Sequence, residues 1–424
     1  MNYPAEHIIR LIGDRLASPG TVPGAVRRHP GWQQSLARGI PGIALLHIEL
    51  AATGRAPWAR AHDWLTAAAA APLTVGADSH PFHGAPALAH ALACAADHRP
   101  GAYSRALEQL DTQIITDTER RLSAAHRRID HGDLTEIAEY DVIRGLTGYG
   151  AYLLARHPDS DTLRQVLAYL VRLTRPVVHE DTELVGWWTL SGPSGRPDPL
   201  YPSGHANAGV AHGIAGPLSL LSLAALRGVD VPGQLTAIGE VSWWLDRWAT
   251  PRGHGPAWPY WITRRELREQ RPAPATPLRP SWCYGAAGQA RAQQLAALAR
   301  QDQPAQLRAE SALLAALTEP ALLAATTDIA LCHGYAGMAH IAARAATDAL
   351  PTTRERLTDA IPGLLSPLTP TGARPRQRTV EILLDSADGN GAGLLDGIAG
   401  IALAVLSPGA SASASRWDAC LLTA

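Results

Sequence analysis

Along the 424-residue chain, stretches in which nearly every position is apolar alternate with stretches whose apolar positions recur at helical spacing. Seven apolar stretches open on a G-x-x-G-like turn. They are GIPGIALLHIEL from Gly39, GAPALAHALACA from Gly84, GLTGYGAYLLAR from Gly145, GIAGPLSLLSLAAL from Gly213, GAAGQARAQQLAAL from Gly285, GYAGMAHIAARAA from Gly334 and GIAGIALAVL from Gly397. The second is degenerate, with Ala87 in place of its second glycine. Successive starts lie 45 to 72 residues apart, room for two helices of roughly 11–12 residues with their connections. Between them run more polar stretches such as AYSRALEQLDTQIITDTERRLSAAHRRI and SDTLRQVLAYLVRL. These predict an amphipathic partner for each apolar helix, and hence two concentric layers with the apolar helices inside. The paired glycines let the inner helices start close together, since no Cβ holds the backbones apart.

One helix pair cannot bury its apolar face alone; stacked pairs can, and a ring that closes leaves no exposed end. An open solenoid would need end repeats with polar outer faces, yet the last repeat, LLDGIAGIALAVL, is as apolar as the middle ones. The expected fold class is therefore all-α: a closed α/α toroid, or double-layered helical barrel, of seven helix-pair repeats in one domain over residues 1–424. Two stretches break the helical pattern, VVHEDTELVGWWTLSGPSGRPDPLYPSG from Val177 and AWPYWITRRELREQRPAPATPLRP from Ala257. Their β-favouring residues and Pro/Gly/Ser loops predict short strands or long loops near 177–205 and 255–280, outside the barrel.

Charge changes the picture only by exclusion. The formal net charge is -1, with 37 basic residues against 38 acidic ones, which argues against a general nucleic-acid footprint. The chain contains no lysine, ruling out lysine Schiff-base chemistry and the P-loop lysine. No apolar run approaches the ~18 residues of a membrane span. The start, MNYPAEHIIRLIGDRL, carries acids and lacks the basic and apolar regions of a signal peptide. A cytoplasmic protein that does not span the membrane is expected, with reduced thiols. There, paired cysteines read first as metal ligands or catalysts.

The chemistry emerges when equivalent repeat positions are compared. Immediately before the first glycine stand Arg38, His83, Arg144, His212, Tyr284, His333 and Asp396. All are polar although each precedes an apolar helix; Arg, His and Tyr are poor helix caps, so a shared polar mouth at one end of the ring is expected. One position further back, only repeats five and six have cysteine, Cys283 and Cys332. Neighbouring repeats would let Cys283, Cys332 and His333 converge as a Cys₂His set, a common zinc set that leaves a fourth position open. Cys94 and Cys420 match neither setting and read as structural. His212 starts the adjacent repeat and is a candidate acid/base, a hydrogen-bonded structural role being the alternative. Asp141 lies one turn before the third glycine pair, where it could orient His212 or cap its own helix.

Three motifs make the chain recognisable: AHGIAG with His212, RPSWCYGAAG with Arg279, Cys283 and Tyr284, and CHGYAG with Cys332 and His333. With the seven repeats, the sequence resembles the LanC family of lanthionine synthetase C-like cyclases over nearly its whole length. The resemblance implies an α/α toroid with Zn2+ held by Cys283, Cys332 and His333. It implies a precursor peptide, carrying a leader, whose serines and threonines have been dehydrated, and a thiolate that adds to dehydroalanine or dehydrobutyrine to close a thioether ring. His212 would protonate the enolate, Asp141 would support His212, and Arg279 and Tyr284 would stabilise the enolate or position the peptide. A complex with a dehydratase and a transporter would follow, and through such a complex the protein would sit at the membrane periphery. Two other readings stay open: a zinc protein of this family that binds glutathione or another thiol without cyclising peptides, and a zinc-free α/α-barrel hydrolase using paired carboxylates.

Overall fold

A computed structural model describes residues 3–22, 24–28, 31–252, 255–273, 279–368, 377–378, 380–381, 391–407 and 413–424. Its longer helices are numbered in chain order. The inner set is α2 (Ile40–Ala52), α4 (Ala85–His98), α6 (Leu146–Arg156), α8 (Ala215–Leu226), α10 (Ala286–Ala299), α12 (Tyr335–Asp348) and α14 (Ile398–Leu406). Every one begins within or just after a G-x-x-G turn. Interleaved with them are α1 (Tyr3–Arg15), α3 (Trp58–Ala68), α5 (Ser104–His131), α7 (Asp161–Leu173), α9 (Gln234–Trp248), α11 (Gln303–Thr318) and α13 (Pro351–Leu365).

The two kinds of helix differ as the hydrophobic pattern predicts. In α8 every residue from Ala215 to Ala224 is buried. In α7 burial is confined largely to one face through Leu163, Val166, Leu167, Leu170 and Leu173, and Ser160 caps the start by accepting Leu163 N–H at 3.2 Å.

The residues fall into two compact units, Met1–Ile114 with Thr326–Thr347 and Leu357–Asp418, and Ile115–Ala325 with Asp348–Arg356 and Ala419–Ala424. In the first, α14 of the last repeat packs beside α2 of the first repeat, which in turn packs on α4. An open solenoid would keep its end repeats apart. In the second, α6, α8 and α10 lie side by side, with α7, α9 and α11 packed against them.

Backbone hydrogen bonds tie equivalent repeat starts together. In the first unit Cys332 N–H donates to Leu395 O at 2.8 Å, Leu395 N–H to Ala37 O at 2.9 Å, and Leu36 N–H to Phe82 O at 3.0 Å. In the second, Val142 N–H donates to Ala211 O at 3.1 Å, and both Val210 and Ala211 donate to Cys283 O, at 2.8 and 3.1 Å. These are the positions one or two residues before the polar residues that the repeat alignment equates.

The second glycine of the pair has a more specific task than letting helices approach one another. In five repeats (Gly42, Gly216, Gly288, Gly337 and Gly400) an added Cβ would overlap the carbonyl oxygen six residues back, at Leu36, Val210, Trp282, Leu331 and Leu394. The chain folds onto its own approach segment before entering the helix, and only then meets the neighbouring repeat. Gly400→Ala is expected to destabilise the protein by about 2–3 kcal/mol, because rigid backbone must shift. Gly363→Ala, in α13 with open space around it, should be neutral or stabilising by up to ~1 kcal/mol. Thermal denaturation of the two variants checks the contrast.

The two irregular stretches form short antiparallel strands, all in the second unit. β1 (Val177–His179) pairs with β2 (Thr182–Leu184), and β5 (Thr250–Arg252) with β6 (Gly255–Ala257). β3 (Trp188–Thr189), β4 (His205–Asn207) and β7 (Trp261–Thr263) join both stretches in one sheet, ordered β3-β4-β7. The RREL segment expected in the loop is instead a short helix, Arg264–Glu269, with a Thr263/Glu266 capping box. Residues 274–278 of that stretch lie outside the described residues.

Candidate metal centre and histidine dyad

None of the seven polar residues that precede the repeat glycines is buried, whereas the inner helices behind them are. The approach segments therefore present these side chains at helix N-terminal ends while the glycines lock the backbone below.

In the second unit, His212 Nδ1 lies 2.6 Å from Asp141 Oδ2. Asp141 is fully buried. Its other oxygen, Oδ1, accepts the backbone N–H groups of Arg144 at 2.6 Å and Gly145 at 2.8 Å. The two roles left open by spacing are both filled, one by each carboxylate oxygen. Such a bond fixes the imidazole so that Nδ1–H faces the carboxylate and Nε2 is the nitrogen free to work. The His212 side chain is 28% exposed, enough for a reactant to reach it. Its carbonyl accepts the Tyr140 hydroxyl at 3.4 Å, and burial raises that phenol well above its usual range.

Cys283 is buried, with Ser281 Oγ 3.6 Å from its sulfur. The bond from Ala211 N–H to Cys283 O straps the residue next to His212 directly onto the cysteine's backbone. The Tyr284 ring lies 5.9 Å from that of His212, and its hydroxyl donates to Pro193 O at 3.1 Å. Arg279 is held at its carbonyl, which accepts the Tyr260 hydroxyl at 3.1 Å; burial pushes that phenol up to about 12. The Tyr260 ring meets Tyr284 tilted at 5.8 Å and the Trp261 ring meets it edge-on at 6.0 Å, so the start of β7 and the residue before it supply an aromatic wall beside Tyr284.

In the first unit, ligand atoms of Cys332, His333 and Asp396 all lie within 4.8 Å of one another, the one metal-competent trio of His, Cys, Asp or Glu among the described residues. His333 sits between two carboxylates. Asp328 Oδ2 is 2.8 Å from Nδ1, off the line of a ring N–H and so an ionic contact, and Asp396 Oδ1 is 3.3 Å from Nε2. Asp328, then Asp396, holds the imidazolium up to a pKa of about 10, so a metal ion would have to displace a proton there. Thiol, imidazole and carboxylate are donors that suit zinc, and carboxylates behind a ligating histidine are its usual support.

Sequence reasoning singled out Cys332 and His333 but gave no ligand-side role to Asp396 or Asp328. Signals existed. Asp396 holds the same repeat position as His333, and Asp328 stands six residues before Gly334 as Arg279 does before Gly285. Cys94 and Cys420 are both buried and outside the metal-competent trio, Cys94 with its sulfur 3.9 Å from His90 Nε2.

Comparison with known proteins agrees with this frame. The chain is 27% identical over 208 residues to "Nisin biosynthesis protein NisC" of Lactococcus lactis subsp. lactis, a match spanning 48% of this chain and 48% of that relative, about half its length. The solved structure of "Nisin cyclase" superposes with a TM-score of 0.75 at 22% identity, covering 99% of this chain and 96% of that one. That likeness shows the fold, and the α/α toroid expected from the repeats is the fold class of this chain. No helix among the described residues is long and apolar enough to cross a membrane. The profile of the family described as "Lanthionine synthetase C-like protein" matches residues 31–422, and the chain belongs to that family.

Proposed function

We propose that the protein is a zinc-dependent peptide cyclase. It adds cysteine thiolates of a dehydrated precursor peptide to dehydroalanine or dehydrobutyrine and so forms lanthionine and methyllanthionine thioether rings. The observation that carries this reading is the dyad of buried Asp141 and partly exposed His212, strapped to Cys283, on a chain whose Cys332 and His333 lie with Asp396 in a metal-competent cluster. In this reading Cys283, Cys332 and His333 hold the metal. Zinc bound there would supply the Lewis acidity that keeps a substrate thiol, with an ordinary pKa near 8.5, as its thiolate at neutral pH.

The remaining chemistry belongs to side chains. When sulfur adds to the β-carbon, the double-bond electrons move toward the carbonyl and leave an enolate. His212, oriented by Asp141, delivers a proton from Nε2 to the α-carbon. The thiol gives up one proton and the α-carbon takes one, so the product has the mass of the substrate. Arg279 and Tyr284 are assigned to the enolate oxygen and the peptide backbone around it. Tyr284 donates to Pro193 O, so it would have to exchange that acceptor to donate to the enolate.

The substrate defines the partners: a dehydratase that acts first on the serines and threonines, a leader that recruits the peptide, and a transporter that takes the product. Placement in the cytoplasm, at the membrane periphery through that complex, belongs to the same proposal. The test is incubation with dehydrated precursor and zinc, followed by alkylation. Free thiols should disappear while the mass stays constant; thiols that remain alkylatable with zinc bound and the correct precursor present would refute cyclase activity.

A further inference from the structure

We propose that Asp396 is a working member of the metal centre: its carboxylate serves as a labile fourth donor, which an incoming thiol displaces toward Arg38. The inference rests on the metal reading above and adds a residue to it.

Three observations carry it. First, the carboxylates flanking His333 are not equivalent. Asp328 contacts Nδ1 but stands outside the donor cluster, whereas Asp396 is within it, beside Cys332. Second, the position of Asp396 is set by backbone. Leu395, just before it, accepts Cys332 N–H through its carbonyl and donates its own N–H to Ala37 O, so Asp396 is held in register with both Cys332 and Arg38. Third, its two oxygens face different neighbours: Oδ1 faces His333 Nε2 at 3.3 Å, and Oδ2 faces Arg38 Nε at 3.9 Å. Arg38 is 42% exposed on its side chain, and an ion pair that open and that long contributes little by itself. It leaves the carboxylate able to swing between the donor cluster and the cation.

Zinc prefers four donors, and a site built for a transient substrate ligand needs the fourth to be weakly held. A carboxylate with a waiting arginine meets that need. The thiol takes the position Asp396 leaves, its proton passing to solvent, and the carboxylate moves to Arg38.

The test uses the full-length chain with cobalt in place of zinc and 2-mercaptoethanol as probe thiol. Without thiol, Asp396→Asn and Asp396→Ala should differ from wild type in their visible cobalt spectra. Saturating thiol should make the three spectra alike, and the variants should bind the thiol about tenfold more tightly if the carboxylate fills the position about nine-tenths of the time in wild type. Cys94→Ala, buried beside His90 and outside the donor cluster, should leave the thiol-free spectrum unchanged. Circular dichroism verifies folding, and Asp396→Glu gives a conservative variant should the first two misfold; it should restore a spectrum close to wild type. If wild type and Asp396→Asn give superimposable spectra and equal thiol affinities, the role of Asp396 falls and the cyclase reading stands. If wild type binds neither cobalt nor zinc, the metal reading itself falls.

Discussion

Asp141→Asn is expected to fold normally and to lose the proposed cyclisation by roughly 100- to 10,000-fold, the range in which an oriented acid/base group acts. The substitution separates the two jobs of one carboxylate. The asparagine oxygen can still accept from Arg144 and Gly145 N–H, as Oδ1 does at 2.6 and 2.8 Å, so the entry to α6 stays capped. The other end becomes an amide N–H facing His212 Nδ1, which selects the wrong tautomer and no longer stabilises the imidazolium. Asp141→Ala removes both jobs. It should show the same kinetic loss plus a destabilisation of about 1–3 kcal/mol from buried N–H groups left without an acceptor. Single-turnover cyclisation alongside calorimetry distinguishes the variants. Full activity in Asp141→Asn would remove His212 from the proton transfer.

Cys332→Ala should purify without stoichiometric zinc and without cyclase activity. Zinc sites contribute about 10–16 kcal/mol through four ligands, so one ligand accounts for roughly 3 kcal/mol, and its loss weakens binding more than a hundredfold. The fold should survive, because the repeat starts are held by backbone bonds such as Cys332 N–H to Leu395 O, which alanine keeps. Cys283→Ala should behave alike if both cysteines are ligands, and Cys94→Ala should retain metal as the control. Zinc analysis after dialysis against a weak chelator reads all three. Retention by Cys283→Ala with loss from Cys332→Ala would reduce the centre to the Cys332, His333 and Asp396 donors.

Much of this architecture was legible because it repeats. Seven occurrences of one turn let each position be compared with six others, so residues departing from the pattern stood out against an internal reference. That is how Cys332 and His333 could be picked from 4 cysteines and 17 histidines. The short strands at 177–189 were likewise visible in β-branched and aromatic residues bounded by glycine and proline, whereas the His205–Asn207 strand carries no such signal. Their joining with β7 was not visible, because strand pairing across more than fifty residues leaves no local mark.

What the sequence determined by itself is whatever local patterning and covalent geometry impose. An apolar stretch behind a glycine pair must be an inner helix, a polar residue before it must stand at the helix entrance, and a lysine-free chain cannot do its acid/base chemistry with a lysine. What only the tertiary structure decided is which long-range partners those groups meet. Asp141 divides its oxygens between a helix entrance and His212 because both lie within 3 Å of one buried carboxylate. Asp396 joins Cys332 and His333 because Leu395 hydrogen-bonds across repeats. Short-range electrostatics and hydrogen bonding act over a few ångströms of space. Spacing along the chain cannot encode such distances until the backbone has brought the repeats together.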